Sequence, residues 1–280
     1  MRFGLSTHLY HRERLRREHL AEIASHGFEA IELFALKGHF DYHDPGAIVA
    51  LKGWLAETGL ALHSIHAPIF DALKEGEPRR MFSNAHRMTS ERTLALEETE
   101  LALSVAREIP TGYLVVHLGV PASVQSDPSD NDMAVAQKSL EAIHALAEPL
   151  GVRVAAEVIP NRLSGAAHLV QVLEEEVELP RAGVCLDFGH AHVMGDLIDA
   201  IDVISGHLIT THVHDNFGKR DDHLVPFDGN IDWPAALMSV QKIGYDDTLL
   251  FELGNTSTPG AVLAGAARAR RRFEEILAHS

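Results

Sequence analysis

The chain of 280 residues holds one cysteine, Cys185, so it forms no intramolecular disulfide. The position of that cysteine inside an apolar run reads as a small buried side chain. Also missing is any apolar run of the ~20 residues that a membrane helix needs, and nothing near Met1 resembles the hydrophobic core of a secretion signal. The expectation is a cytoplasmic protein with no membrane partner, which the scarcity of cysteine suits. Positive charge is scarce too: 24 Lys and Arg against 40 Asp and Glu leave a net −16. Such a chain repels a polyanion, because nonspecific nucleic-acid affinity comes from neutralising phosphates with Lys and Arg, so nucleic acid is not an expected partner. Part of that negative charge is an overcount wherever carboxylates hold divalent cations. Neither Pro (12) nor Gly (21) is abundant enough for disorder or a fibre, and 46% apolar with 23% charged residues is ordinary globular composition.

What the chain does have is alternation. Strand-like runs at Arg2–Ser6, Ala30–Phe34, Leu60–His66, Tyr113–Leu118, Val152–Val158, Ala182–Asp187, Leu208–His214 and Thr248–Leu253 are separated by helical patterns near 15–26, 45–58, 86–109, 131–150, 164–178, 191–204, 232–243 and 257–278. Regular strand–helix alternation predicts a parallel sheet of βαβ units, and eight units in this length predict an α/β fold of one domain, 1–280, closed as a (β/α)8 TIM barrel. Boundary residues agree. Gly27, Gly59, Gly151 and Gly244 each stand between a helical pattern and a strand, as C-terminal caps do, and Asp232-Trp-Pro-Ala places Asp at an N-cap with Pro in the first turn. Two connections are too long for plain turns, Ala67–Ala85 and Asp215–Ile231, and loops of that length after strand ends serve as lids or binding loops.

Six consecutive strand-like runs end in a residue that binds metals: His66, His117, Glu157, Asp187, His212 and Glu252. Functional residues of parallel barrels project from the C-terminal ends of the strands, so the active site is expected at that face. Three carboxylates and three imidazoles gathered at one mouth without a cation would be costly. His190 follows Asp187 by one short turn and reaches the same cavity, and Asp221 and His223 have the alternate spacing that aims two side chains the same way from an extended loop. Mixed carboxylate and imidazole donors suit Zn, Mn or Fe better than Ca or Mg. His8 and Glu32 end the first two strands as pocket-lining or supporting residues, and His214 and Asp215 follow His212, with Asp215 bracing the loop or an imidazole. His19, His144, His168 and His279 fall on helical patterns as surface residues, and Arg268–Arg272 reads as a solvated face or an oligomer contact; the apolar helical exterior permits a homodimer.

The runs His63-Ser-Ile-His-Ala-Pro68, Val116-His-Leu-Gly119, Ala156-Glu157, Cys185-Leu-Asp-Phe-Gly-His190, His212-Val-His-Asp215, Asp221-Asp-His223, Asp228-Gly-Asn230 and Phe251-Glu252, in this order, resemble the xylose-isomerase-like TIM-barrel superfamily over the whole chain. That superfamily includes sugar isomerases and epimerases of the tagatose-epimerase type, and endonuclease IV. The resemblance implies two patterns. In the first, one divalent ion, typically manganese, is held by Glu157, Asp187, His212 and Glu252, with Glu157 and Glu252 also moving protons and His190 binding a substrate hydroxyl. In the second, three zinc ions are held by His66, His117 and Glu157; by Glu157, Asp187, His212 and Glu252; and by His190, Asp221 and His223. Phe227-Asp-Gly-Asn230 departs from the family's glycine–glutamate–glycine turn, and loop Asn216–Arg220 is shorter than in endonuclease IV.

Three readings stand on these residues. The first is a metal-dependent isomerase or epimerase of a small sugar, sugar phosphate or keto-sugar, with one Mn or Zn ion. The second is a multinuclear zinc phosphoesterase with two or three ions acting on a small substrate, since the chain has no counterpart of loops that enter DNA. The third is a non-catalytic sugar-binding barrel, because fold does not fix function.

Overall fold

In a computed structural model, which describes residues 1–71, 73–74, 77–78, 80–125, 127–176, 179–195 and 197–279, the apolar runs become β1 (Arg2–Ser6), β2 (Ala30–Phe34), β3 (Ala61–His66), β4 (Tyr113–Val116), β5 (Arg153–Glu157), β6 (Gly183–Asp187), β7 (Leu208–His212) and β8 (Thr248–Phe251). Beyond their first residues they are buried, as strands covered on both sides must be. They form one sheet in the order β8-β1-β2-β3-β4-β5-β6-β7, with every hydrogen-bonded pair parallel. The architecture is the expected (β/α)8 TIM barrel.

The seam between β7 and β8 closes differently from the others. Just past β7, Val213 donates to the Leu250 carbonyl at 2.7 Å and accepts from the Glu252 amide at 3.1 Å. Lower down, the buried Thr211 hydroxyl donates to the Thr248 carbonyl at 3.1 Å and accepts from the Leu250 amide at 3.4 Å. A side chain thus stands in for the missing ladder partner.

The helices are α1 (Arg17–Ser25), α2 (Pro45–Thr58), α3 (Thr89–Leu103), α4 (Met133–Ala147), α5 (Ala166–Gln171), α6 (Phe188–Met194), α7 (Leu197–Val203), α8 (Trp233–Lys242) and α9 (Pro259–Ala278). The patterns near 86–109 and 131–150 tighten into 3-10 turns at Ser104–Arg107 and Glu148–Leu150, and the one near 164–178 passes from α5 into a π turn at Val172–Glu176. The pattern near 191–204 is two helices, because Gly195 (φ 110°) stops α6 in a conformation that L residues avoid. More consequential is the start of α6: no loop separates it from β6. Asp187 is at once the last residue of the strand and the N-cap of the helix, its Oδ1 accepting the His190 amide at 2.6 Å.

Inside the barrel, Val115, Ala155, Cys185 and Ile209 form a small apolar plug with Tyr113 packed against it. Val115, Ala155 and Cys185 stand two residues before His117, Glu157 and Asp187, so strand alternation sends those three inward one layer higher. Burial pushes the Cys185 thiol up, away from the reactive thiolate. Bulges at His63 and Ile209 set the parity that opposes Glu32 to Ser64 and Asp187 to His212.

The long connection 67–85, expected as a lid or binding loop, carries an antiparallel ribbon, Leu73–Lys74 against Glu77–Pro78; its positions 72, 75, 76 and 79 lie outside the described residues. His19 is not a surface residue: it is 5% exposed and stacks on Tyr10 at 4.2 Å, because α1 presents it to the turn after β1. The arginine run is only partly a solvated face, since Arg272 lies over the Phe227 ring at 3.4 Å and Arg270 pairs with Glu274. No helix among the described residues is long and apolar enough to cross a membrane.

Thr211→Val keeps the shape but removes the acceptor of the Leu250 amide and one of the donors to the Thr248 carbonyl, which keeps the Tyr245 hydroxyl. It is expected to cost about 1–3 kcal/mol in urea unfolding, with Thr211→Ser recovering most of the loss.

Candidate metal centre

The barrel brings all six strand-end candidates to one mouth, none more than 8% exposed. His66, Glu157, Asp187 and His212 are the last residues of their strands, while His117 and Glu252 lie one residue past theirs. Their donor atoms fall into groups in which every atom lies within 4.8 Å of the others: His66, His117 and Glu157; His66, His212 and Glu252; and Glu157, Asp187, His212 and Glu252. A further group joins His190, Asp221 and His223 with His214. Every residue that the resemblance assigns to a cation thus lies in one of these groups, and Glu157 is shared.

The imidazoles are oriented from behind. His66, His190 and His223 direct Nδ1 at the backbone carbonyls of Ala67 (2.8 Å), Val158 (3.1 Å) and Glu252 (3.0 Å). His212 directs Nε2 at Glu32 Oε2, 3.0 Å away. A neutral imidazole carries one N–H, and these acceptors fix it on the outer nitrogen, so the inner nitrogen keeps its lone pair for the cavity. The inner atoms converge on carboxylates. His66 Nε2 and His117 Nε2 are 3.3 and 3.1 Å from Glu157 Oε2, and His190 Nε2 and His223 Nε2 are 3.1 and 3.0 Å from Asp221 Oδ2. His212 Nδ1 is 3.3 Å from Glu157 Oε1 and 3.6 Å from Glu252 Oε2, yet His212 Nδ1 and Glu157 Oε1 are both buried without a hydrogen bond. Two facing polar atoms that satisfy nothing and receive nothing are what a cation-binding pair presents.

Charge in the cluster is balanced internally. Burial pushes the Glu157 carboxyl up, but His212 and His117 outweigh it and hold it well below the usual carboxylate range. Burial pulls His66 and His223 down, and the bonds and charges of Glu157 on the one and Asp221 on the other raise them to about 9 and about 10. His117 goes the other way, pulled down by burial despite Glu157. A divalent cation bound in the cluster would take over the electrostatic role of such imidazolium protons and displace them.

Of the remaining predicted residues, Glu32 is fully buried and accepts from Ser6 (3.0 Å), Ser64 (2.8 Å) and His212, which places it behind the centre. Asp215 accepts from the amides of Asn216, Phe227 and Ile231 and from Trp233 Nε1, at 2.8 to 3.2 Å, so it braces loop 215–231. His8 directs Nδ1 at the Leu253 carbonyl (3.2 Å) and lies 5.0 Å from the His223 ring. His214 is buried beside His223. Strand-end reasoning passes over two residues at the same mouth. His11 stacks on His8 at 4.6 Å, and its signal is the i, i+3 spacing on the turn after β1. Phe34 ends β2, its ring 4.9 Å from His8 and 5.3 Å from His66.

A family model described as xylose isomerase-like TIM barrel matches residues 20–275. Among curated relatives, the chain is 28% identical over 217 residues to the uncharacterized protein y4fM of Sinorhizobium fredii, covering 71% of this chain and 68% of that one. It is 30% identical over 117 residues to the inosose isomerase of Bacillus subtilis, covering 39% and 42%. Among solved structures, a D-tagatose 3-epimerase-like protein superposes with a TM-score of 0.82 at 24% identity, covering 100% of this chain and 99% of the other. An IOLI protein with a bound zinc atom gives 0.78 at 18% identity, covering 100% and 99%. The two structural likenesses bear on the fold.

Asp215→Asn turns one acceptor oxygen into a donor that faces backbone or indole N–H groups. The expected result is a loss of about 1–3 kcal/mol in thermal unfolding, together with faster proteolytic cleavage within 216–230; unchanged cleavage would contradict the bracing role.

Proposed function

The chain belongs to the xylose isomerase-like TIM-barrel family, and from that membership we propose a divalent-metal-dependent isomerase or epimerase of a small sugar, sugar phosphate or keto-sugar. The observation that carries the reading is the group Glu157, Asp187, His212 and Glu252, buried and mutually within 4.8 Å, which combines a mixed donor set with two glutamates. The facing orphan atoms Glu157 Oε1 and His212 Nδ1 fit a cation. Glu157, Asp187, His212 and Glu252 would hold a Mn or Zn ion there, which when bound would supply Lewis-acid polarisation of a carbonyl and its neighbouring hydroxyl. Glu157 and Glu252 do the proton work: one removes the proton from carbon and the other returns it. They come from β5 and from the end of β8, which β6 and β7 separate on one side of the barrel, so they approach a sugar between them from different directions. His190, at the start of α6, binds a substrate hydroxyl. The inosose isomerase and the epimerase-like protein among the similar proteins support this class of reaction.

A multinuclear zinc phosphoesterase is favoured by one observation, that Glu157 Oε2 faces His66 and His117 while Asp221 gathers His190 and His223. A glutamate that bridges two cations is a poor base, so the two readings exclude each other at full occupancy. Elemental analysis of protein purified without chelator separates them: about one ion per chain for the isomerase, two or three for the phosphoesterase.

Incubating the metal-loaded protein with ketoses in deuterated water is expected to place label on the carbon beside the carbonyl. Glu157→Gln and Glu252→Gln are each expected to slow that exchange by about 10²–10⁴-fold. A broad ketose panel without exchange contradicts the proposal.

A further inference from the structure

His214 stands two residues past His212, is fully buried, and by distance alone joins His190, Asp221 and His223 as a fourth donor. Its surroundings assign it another task. Nε2 lies 2.9 Å from Asp187 Oδ1, 3.1 Å from Asp187 Oδ2 and 3.6 Å from Asp221 Oδ1, whereas Nδ1 is buried with no partner. With acceptors only around Nε2, the single N–H of the neutral ring belongs there, so the nitrogen that faces the carboxylates donates and has no lone pair to offer. The ring also stacks on His223, centroids 4.1 Å apart and planes 18° apart. Imidazole lone pairs lie in the ring plane, so two nearly parallel rings aim theirs side by side instead of at one point. Finally, the ring rests against the backbone of Gly189, where a Cβ would overlap it. The residue before His190 on α6 is therefore kept bare for the sake of His214.

We propose that His214 is a positioning residue: its Nε2–H, together with the His190 amide, locks the Asp187 carboxylate in the orientation that the Glu157, Asp187, His212 and Glu252 group requires. The His190 amide pins Oδ1 at 2.6 Å but leaves the carboxylate free to rotate about its own axis. The imidazole, spanning both oxygens, removes that freedom and holds Oδ2 toward His212 Nδ1, 3.9 Å away. Outer hydrogen bonds of this kind are worth about 10–100-fold in metal affinity. The same nitrogen, within 3.6 Å of Asp221, puts the loop group in touch with Asp187.

This inference rests on the metal-dependent reading, and the test separates the two. Mn²⁺ is titrated into the full chain after chelator treatment, reading the number of ions and the Kd of the one that Asp187→Asn abolishes. His214→Leu and Gly189→Ala are expected to weaken that ion about 10–100-fold with the ion count unchanged, while His214→Gln, which keeps an N–H at the same reach, stays near wild type. Gly189→Ala replaces no candidate donor and acts by displacing the His214 ring, so wild-type affinity in that variant overturns the proposal. Loss of an ion in His214→Leu with the Asp187-dependent Kd unchanged also overturns it, making His214 a ligand. A wild-type chain that binds no Mn²⁺ overturns the metal-dependent reading and this inference with it.

Discussion

Glu157 carries its charge fully buried. Removing a carboxylate from water costs several kcal/mol even after relaxation, unless counter-charges stand close on every side. Around Glu157 they do: His66 at Oε2 and His212 and His190 at Oε1, all within 3.3 Å, with the His117 imidazole 3.1 Å from Oε2 as a further polar neighbour. Those imidazoles come from β3, from the end of β4, from β7 and from α6, so the compensation exists only when the barrel is closed and in register. The bulges at His63 and Ile209, the hydroxyl seam at Thr211 and the loopless join of β6 to α6 all serve that convergence. The centre and the fold are in this sense one constraint.

Much of this is legible in the chain because parallel barrels obey strict polarity. Period-two alternation placed one layer below the mouth makes Val115, Ala155 and Cys185 apolar or small, and the next inward residue on each run is then a donor by position alone. The eight strands and the helix boundaries follow from the same periodicity and from glycines at helix ends. What escapes is whatever depends on distance across the barrel or on backbone direction. Glu32 reads as a strand-end acid, but that it clasps His212 from the opposite side of the barrel depends on the bulge in β3. His19 looks like a helix-surface residue because its partner, Tyr10, lies on a turn whose path a pattern does not give. The split of α6 from α7 hangs on one glycine, Gly195, in a stretch that otherwise reads as continuous helix, and Gly189 looks unremarkable until the His214 ring is seen against it.

The chemistry divides on how Glu157 is used. Under the proposed isomerase reading it takes a proton from carbon with one oxygen free; gripped on both by cations, it is too weak a base for the task. The same buried residues serve either end, and the His66–His117 pair is what tips the balance. In a one-ion centre those two imidazoles bind substrate hydroxyls and keep Glu157 anionic. In a multi-ion centre they become ligands and Glu157 becomes structural. Asp221 and His223 stand at the same fork on the loop side, where Asp215 braces the segment that carries them. The relatives weigh toward sugar chemistry.

The most direct test is the anomalous diffraction of a crystal grown with Mn²⁺ and measured on both sides of the metal edge. The account predicts a peak enclosed by Glu157, Asp187, His212 and Glu252, with Glu32 behind His212. Anomalous density confined to the protein surface, with none among those four side chains, would contradict it.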